Sequence, residues 1–208
     1  MTELRRSSRA DARLQPWKNG RGETAEIALW PPGAMFARGD FDWRVSRAAL
    51  PESGPFSSFP GFDRVLVVVD GDGLHLDHAG AAPAACAAPL TPYQFSGDWP
   101  TVAALVSSPV HDFNLLCRRG RAWLRVRHRS GRRRRAGLRG EHVLLHALAG
   151  RAEVRGDVSG LPVVLEPFDT LWFRAISAPM TLTCLETTPT MQLVLVQIDA
   201  VPPTASSR

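Results

Sequence analysis

Apolar residues in this chain occur in short segments that end at Gly, Pro or Asp and are rich in Val, Leu, Phe and Trp. This pattern is typical of β-strands, because helices need longer runs with a 3.6-residue period. Strands packed this densely, with turn signals between them, favour a sandwich or a barrel. The sequence therefore predicts an all-β protein, with strands at 24–29, 43–49, 64–69, 74–77, 101–106, 112–118, 123–127, 142–148, 163–165, 170–173, 180–185 and 192–198.

The strand pattern repeats once along the chain. Gly71 and Gly150 each end an apolar strand, Pro100 and Pro179 each open the next apolar run, and both pairs are 79 positions apart. A constant offset is what a duplicated β unit leaves in a sequence. We therefore expect two barrel-like halves, an N-terminal half at 1–118 and a C-terminal half at 119–208.

The segment that joins the halves, 118–139, holds eleven arginines and no acidic residue, so the formal charge of +5 arises there. It begins as an alternating strand with Trp123, Arg125 and Arg127 on one face, and we expect it to continue as a solvated arginine loop, giving an Arg-rich connecting hairpin. A nucleic-acid contact is the alternative. Because only one aromatic residue interleaves the arginines and stacking platforms need several, we expect no nucleic-acid partner.

Lysine and asparagine are rare in this chain, which has 24 arginines but only Lys18, and only Asn19 and Asn114 as asparagines. A GC-rich genome produces such a skew, because it disfavours the AT-rich codons of lysine and asparagine. The Lys18-Asn19 pair that remains therefore indicates positions where arginine and serine could not replace the two residues. Arginine is a planar fork and lysine a compact point charge, so the two differ wherever geometry is tight. These three residues are the first functional candidates, although Asn19-Gly20 is also a turn signal.

The chain shows no sign of a membrane or secretory destination. No apolar run approaches the roughly 20 residues that span a bilayer, and the first 14 residues lack the apolar stretch of a secretory signal, so we expect them to be a short leader to the fold. The three cysteines have no C-x-x-C spacing, which argues against disulfides and thiolate zinc. Cys86, Cys117 and Cys184 are therefore expected to be buried thiols of a cytoplasmic protein.

Strand alternation predicts which polar side chains share a face, because residues two apart on a strand project together. Thr24 and Glu26 form one such pair, and Arg44 and Ser46 form another, opposite Trp43 and Val45. Further along, Asp112, Asn114 and Arg118 share a face opposite Phe113 and Leu115. Polar rows of this kind suit the lumen of a small barrel that holds one small ligand.

Three blocks carry the most specific motifs: PWKNGRGETAEIALWPPGA at 16–34, FDWRVSRA at 41–48 and GPFSSFPGFDRVLVVVDG at 54–71. With FSGDWP at 95–100 and VHDFNLLCRRG at 110–120, they closely resemble the HutD/Ves family. The resemblance implies a bicupin, that is, two cupin-like β-barrel halves, with a small pocket. It also implies an association with histidine-utilisation operons or stress responses, without an established reaction.

The polar residues of these blocks are suited to binding a small carboxylate. The resemblance points to an acidic intermediate of histidine breakdown, such as a formylated or formimino glutamate derivative. Glu26 could meet an amide or ammonium group of that ligand, or instead form a cross-strand ion pair with Arg44. The candidate ligand-binding residues are Lys18, Asn19, Thr24, Glu26, Arg44, Ser46, Arg64 and Asn114.

Two functions remain open at this point. The first is a small-molecule-binding bicupin with a regulatory or sequestering role. The second is a metal-independent cupin enzyme of isomerase or hydrolase type, in which Glu26 or Lys18 acts as acid or base on the same class of ligand. The chain has no G-x-S-x-G and no phosphate-binding glycine loop.

The sequence predicts no metal and no other cofactor. His75, Asp77 and His78 lie where cupins often hold a metal, but His75 and Asp77 share a face that His78 does not, and a metal needs three or four convergent ligands. We expect surface or turn histidines there. Because cupins commonly pair through edge strands, a homodimer is expected.

Overall fold

The computed structural model describes residues 2–17, 22–131, 133–188 and 191–200. Apart from two short 3-10 turns, its regular elements are all strands, which confirms the all-β prediction. The strands are β1 (Glu3–Ser7), β2 (Arg13–Pro16), β3 (Glu23–Trp30), β4 (Trp43–Leu50), β5 (Gly54–Pro55), β6 (Phe62–Asp70), β7 (Leu74–Asp77), β8 (Ala85–Ala87), β9 (Tyr93–Ser96), β10 (Val102–Leu105), β11 (Val110–Arg118), β12 (Ala122–Ser130), β13 (Arg133–Ala149), β14 (Ala152–Arg155), β15 (Val163–Leu165), β16 (Thr170–Glu186) and β17 (Gln192–Ala200).

The two halves of the chain repeat one pattern of strand pairing. In the first half, β6 pairs with β9 and β11, β11 pairs with β4, and β7 pairs with β8 and β10. In the second half, β13 pairs with β16 and β17, β17 pairs with β12, and β14 pairs with β15 and β16. β16 corresponds to both β9 and β10, because it continues as one strand through Pro179.

The turns after β6 and β13 explain the repeated glycines. Gly71 has φ of 95° and Gly150 has φ of 66°, in the left-handed region that favours glycine. A Cβ atom added to Gly71 would lie 2.7 Å from the carbonyl oxygen of Pro109, so a larger residue is excluded by space as well. Both turns let the chain reverse directly into the next strand of its half.

Most predicted strands are present, and the differences fall at chain segments with weak apolar patterns. The leader expected over the first 14 residues is wrong in part, because Glu3–Ser7 forms β1, which pairs antiparallel with β16 of the other half. The expected arginine loop is also wrong, because β13 begins at Arg133 and its arginines pair with β16. β12 and β13 are not paired with each other, since β17 lies between them.

Apolar layers hold the strands together, and the layer between the two halves is shared. One layer lies inside the N-terminal half and includes Leu66 and Val68; another lies inside the C-terminal half. The shared layer joins Val65, Val67 and Phe113 of the six-stranded sheet to Leu144 and Val196 of the seven-stranded sheet. The strands β6 and β11 are therefore covered on both faces, and their even-numbered side chains point into the N-terminal barrel.

The thiols differ from expectation at one position. Cys117 and Cys184 are buried as predicted, whereas Cys86 on β8 is exposed, so the prediction for Cys86 is wrong. On β8, Ala87 points into the core of the N-terminal half, so the preceding Cys86 projects from the opposite, solvent-facing side of the strand. Within the described ranges, no helix is long and apolar enough to cross a membrane.

Candidate functional site

A row of polar side chains crosses the inner face of the N-terminal barrel. Strand register places Ser46 opposite Glu26 on one side and opposite Asn114 on the other, and Asn114 lies opposite Leu66 on β6. Arg44, Ser46 and Arg64 are buried in this interior. The alternation that predicts these shared faces is therefore confirmed, and the row is called the lumen row below.

Glu26 and Arg44 occupy one end of the lumen row. Nε of Arg44 donates to Oε2 of Glu26 at 2.9 Å, Nη2 of Arg44 donates to Oε1 of Gln15 at 3.0 Å, and Nε2 of Gln15 donates to Oε2 of Glu26 at 3.2 Å. The guanidinium also lies 4.0 Å from the ring centre of Phe36. The cross-strand ion pair that the sequence left open is thus present, and it fixes the Arg44 side chain in place.

Arg64, Asn114 and Asp112 form the other end of the row. Nδ2 of Asn114 donates to Oδ1 of Asp112 at 2.6 Å, and Nη2 of Arg64 donates to Oδ1 of Asn114 at 3.3 Å. Burial raises the pKa of Asp112 to about 6, although the hydrogen bond from Asn114 and the charge of Arg64 oppose the rise. A carboxyl group that titrates near neutrality is suited to proton transfer.

Arg64 is the least satisfied cation of the lumen row. Its two hydrogen bonds, to Asn114 and to the carbonyl oxygen of Ser57, are both 3.3 Å long, and its buried Nε has no partner in the described part of the chain. The rings of Phe56, Phe59 and Phe95 lie about the guanidinium, with centres 4.9 to 5.4 Å from it. Burial lowers the pKa of Arg64 to about 10, so the group stays charged at neutral pH.

The remaining candidates are placed as follows. Thr24 accepts a hydrogen bond from Nε1 of Trp17 at 2.9 Å. Lys18 and Asn19 lie outside the described residues, between Trp17 and Gly22, whose backbone groups form a 2.8 Å hydrogen bond. Arg118 donates to the carbonyl oxygens of Phe41 and Gly39. Because those bonds fix it at the end of β11, it lies apart from the lumen row.

Gln15, Trp17 and the phenylalanines around Arg64 were missed by the sequence reasoning. Trp17 lies inside the motif at 16–34 and Gln15 directly precedes it, but β2 has too weak an apolar pattern to be recognised as a strand. Phe56 and Phe59 lie in a segment with little strand structure. The one available signal is the density of aromatic residues in GPFSSFPGF, which contains three phenylalanines in nine residues.

The histidines at the position of a cupin metal site do not converge. His75 and Asp77 are exposed on β7, whereas His78 is fully buried, so the expectation of a surface residue is wrong for His78. Its ring nitrogens lie 3.0 Å from Oγ1 of Thr101 and 2.8 Å from the hydroxyl of Tyr93. In the described ranges no three histidine, cysteine or acidic side chains are grouped as metal ligands.

Comparison with known proteins assigns this chain to a family. The model of the HutD family matches residues 9–191, which include every strand of the lumen row. The chain belongs to the HutD family. This confirms the resemblance drawn from the motifs.

Relatives of known sequence and structure agree with this assignment. Protein Ves of Cronobacter sakazakii is 38% identical over 112 residues, which are 53% of this chain and 59% of that protein, so the match spans less than two thirds of either. The solved structure of HutD from Pseudomonas fluorescens has a TM-score of 0.80 at 28% identity and covers 96% of this chain and 100% of that one.

The cupin fold is supported by more distant likeness. Oxalate decarboxylase from Lactobacillus farciminis superposes with a TM-score of 0.59 over 94% of this chain and 86% of that one, at 7% identity. Identity this low shows the fold alone. The bicupin architecture of this HutD family chain is thereby confirmed.

Proposed function

We propose that this HutD family chain binds a small carboxylate in the lumen row of its N-terminal barrel, in a regulatory or sequestering role. The observation that carries the proposal is Arg64, a buried cation with two long hydrogen bonds and an Nε that has no partner among the described residues. A buried polar group without a partner is costly, and charged groups are the most costly. A carboxylate oxygen would supply the missing acceptor and balance the charge.

The neighbours of Arg64 supply the rest of a ligand cradle. Asn114 and Ser46 can donate or accept hydrogen bonds, and the phenylalanine rings around Arg64 give the cradle an apolar wall. The bonds from Arg44 and Gln15 both end on Oε2 of Glu26, which leaves Oε1 to accept from an amide or ammonium group of the ligand. Lys18 and Asn19, which follow Trp17 directly in sequence and lie outside the described residues, are retained as proposed ligand contacts.

The nature of the ligand is proposed from the family. HutD relatives are associated with histidine utilisation, whose breakdown yields formylated or formimino derivatives of glutamate. Such a molecule carries carboxylates for Arg64 and Lys18 and an amide-like nitrogen for Glu26. The proposal therefore rests on chemical complementarity, with Arg64 and Glu26 in the lumen row and Lys18 as a candidate outside the described residues.

Titration calorimetry with N-formyl-L-glutamate tests the proposal. Wild-type protein is expected to bind, and Arg64→Met and Lys18→Ala are each expected to weaken binding by at least about tenfold, because each removes a charge-assisted hydrogen bond. Arg139→Met is the matched control, since it removes one arginine from the Arg-rich segment. Binding that is equal in Arg64→Met and wild type would overturn the proposal.

Asp112 favours a second candidate, a metal-independent acid/base enzyme acting on the same acid. Its carboxyl group has a pKa raised to about 6 and lies beside the proposed carboxylate site through Asn114. Product exceeding the amount of protein, and its disappearance in Asp112→Asn, would support the enzyme. Binding without turnover in the same incubation would support the binding protein alone.

A further inference from the structure

A cleft of about 490 Å³ lies on the other face of β3 and β4, outside the barrel lumen. Its wall includes Ala25, Arg47 and Ala49 from the sheet, and Arg9 and Ala12 from the segment that follows β1. Residues two apart on a strand share a face, so Arg47 and Ala49 point away from the neighbouring Ser46 of the lumen row. The cleft is therefore separate from the carboxylate site proposed above, and it is called the outer cleft below.

Two arginines converge in the outer cleft. The guanidinium carbon of Arg47 lies 3.7 Å from the ring centre of Phe168, and that of Arg9 lies 5.1 Å from the same ring. Burial lowers the pKa of Arg47, and the charge of Arg9 lowers it further, as expected for two like charges held close together. Among the described residues no acidic side chain forms an ion pair with either arginine.

Arg47 also carries an unsatisfied donor. Its Nη1 atom is buried and has no hydrogen-bond partner among the described residues. Two adjacent cations, one with an unused N–H group, form a site that an oxyanion would complete, because a guanidinium matches the geometry of a carboxylate or phosphate.

The fold fixes these groups in place before any ligand arrives. Nη2 of Arg6 donates to Oδ2 of Asp169 at 2.7 Å, and Oδ2 of Asp169 also accepts from the backbone N–H of Glu166 at 3.2 Å. Together with the pairing of Ser7 and Thr170, these bonds anchor the chain on either side of Arg9 and Phe168. Phe168 has φ of 74°, a conformation rare for a residue with a side chain, and the surrounding bonds hold its ring under both arginines.

An acidic residue, Glu23, also lines the outer cleft. Ala25 pairs with Arg47, and Glu23 precedes Ala25 by two positions on β3. The backbone of Glu23 therefore lies about 7 Å along the strand from the position opposite Arg47. A second anionic group at that end would meet the carboxylate of Glu23. The cleft thus favours a ligand with one oxyanion group and a neutral or cationic far end.

We infer that the outer cleft is a second ligand site, for a small metabolite that places one carboxylate or phosphate between Arg9 and Arg47 and an uncharged or positive group towards Glu23. This site would lie beside a contact between the two halves, because the ring of Phe168, from the C-terminal half, packs against both arginines.

A pair of probes of matched length tests this assignment. 5-Aminopentanoate has a carboxylate and an ammonium group, and glutarate, also of five carbons, has a second carboxylate in place of the terminal aminomethyl group. Titration followed by two-dimensional NMR is expected to shift the amide signals of Ala25 and Ala49, with 5-aminopentanoate binding several-fold more tightly than glutarate. O-Phosphoethanolamine, titrated in parallel, decides between carboxylate and phosphate as the preferred oxyanion.

Variants of the two arginines complete the test. Arg9→Gln and Arg47→Met are each expected to weaken binding by at least about tenfold, whereas Arg13→Gln, which removes a nearby charge outside the cleft, should change it less than twofold. Arg9 is exposed, so Arg9→Gln remains informative if Arg47→Met fails to fold. Unchanged binding to Arg9→Gln, an equal loss in Arg13→Gln, or no binding of any probe to wild type at millimolar concentration would overturn the inference.

Discussion

Asp112 is a fully buried carboxyl group that accepts a hydrogen bond from the side-chain amide of Asn114. Burial disfavours its charged form, so the folded protein holds the proton more tightly than the unfolded chain does. The pKa is about 6 when folded, against an ordinary value of 3.8. Asp112 therefore contributes stability that is fully present below about pH 4 and is lost as the pH rises through 6.

The substitution Asp112→Asn removes this titration while keeping a side-chain oxygen to accept from Asn114. Relative to wild type, the free energy of unfolding of Asp112→Asn is expected to increase between pH 4 and pH 7, by up to roughly 3 kcal/mol. Urea denaturation of both proteins across this range measures the difference. A difference that stays flat with pH would show that the carboxyl group titrates equally in the folded and unfolded states.

For single residues, the sequence predicts which face of a strand a side chain occupies, but not which side chains from other segments it contacts. Alternation correctly places Arg44, Ser46 and Asn114 towards one interior, because each lies on a strand with an apolar opposite face. The bonds of Gln15 and the rings around Arg64 come from segments distant in sequence, and a period of two within one strand carries no information about them. Whether Lys18 and Asn19 bind ligand stays a prediction.

β1 is one of the strands that the sequence pattern does not reveal. Its five residues, ELRRS, offer one large apolar side chain, Leu4, which packs against the core of the C-terminal half. Its partner is β16, which receives β1 along 170–174 and β14 along 183–186. A strand is recognisable from sequence when several of its residues are apolar, so a strand held mainly by backbone pairing is missed.

Leu4→Ala tests whether the packing of β1 against the C-terminal half stabilises the protein. The free energy of unfolding is expected to fall by about 1 to 3 kcal/mol, because a partly buried apolar side chain is lost from the core. Leu14→Ala is the matched control, since Leu14 is 60% exposed and its loss should cost less than about 0.5 kcal/mol. Equal effects in urea denaturation would mean that β1 adds no packing.

The whole molecule is organised around the shared apolar layer. Besides the aliphatic residues of both sheets, it includes Trp30, Trp43 and Trp172 around His142, with ring centres 4.5 to 6.5 Å apart. Burial lowers the pKa of His142 to about 4, so this histidine is neutral at pH 7. The repeated strand pattern predicts two halves. It does not predict which residues of the two halves pack against each other in the shared layer, because those residues are distant in sequence.

Unfolding is expected to be a single transition, because each half uses the other to cover one face of its sheet. Leu144→Ala should lower the free energy of unfolding by about 2 to 5 kcal/mol, since this fully buried side chain lies in the shared layer. Tryptophan fluorescence and far-UV circular dichroism, followed together in urea, should give coincident curves for both proteins. Two separated transitions in wild type would contradict this expectation.

Association of two copies, the cytoplasmic location and the absence of a nucleic-acid partner stay predictions. The boundary between halves at 118/119 is likewise proposed from the repeat, and β1 crosses it. β12 is an edge strand of the seven-stranded sheet, and its exposed Arg125 and Arg127 oppose the pairing of two copies along that edge. A homodimer would therefore use another edge.

The pairing of β1 with β16 also orders events during synthesis. Arg6 and Asp169, which join these strands, are 163 positions apart, so β1 leaves the ribosome long before its partner exists. β1 can therefore pair only after β16 has been translated. The same pairing anchors the segment that carries Arg9, so one wall of the outer cleft is completed late in synthesis.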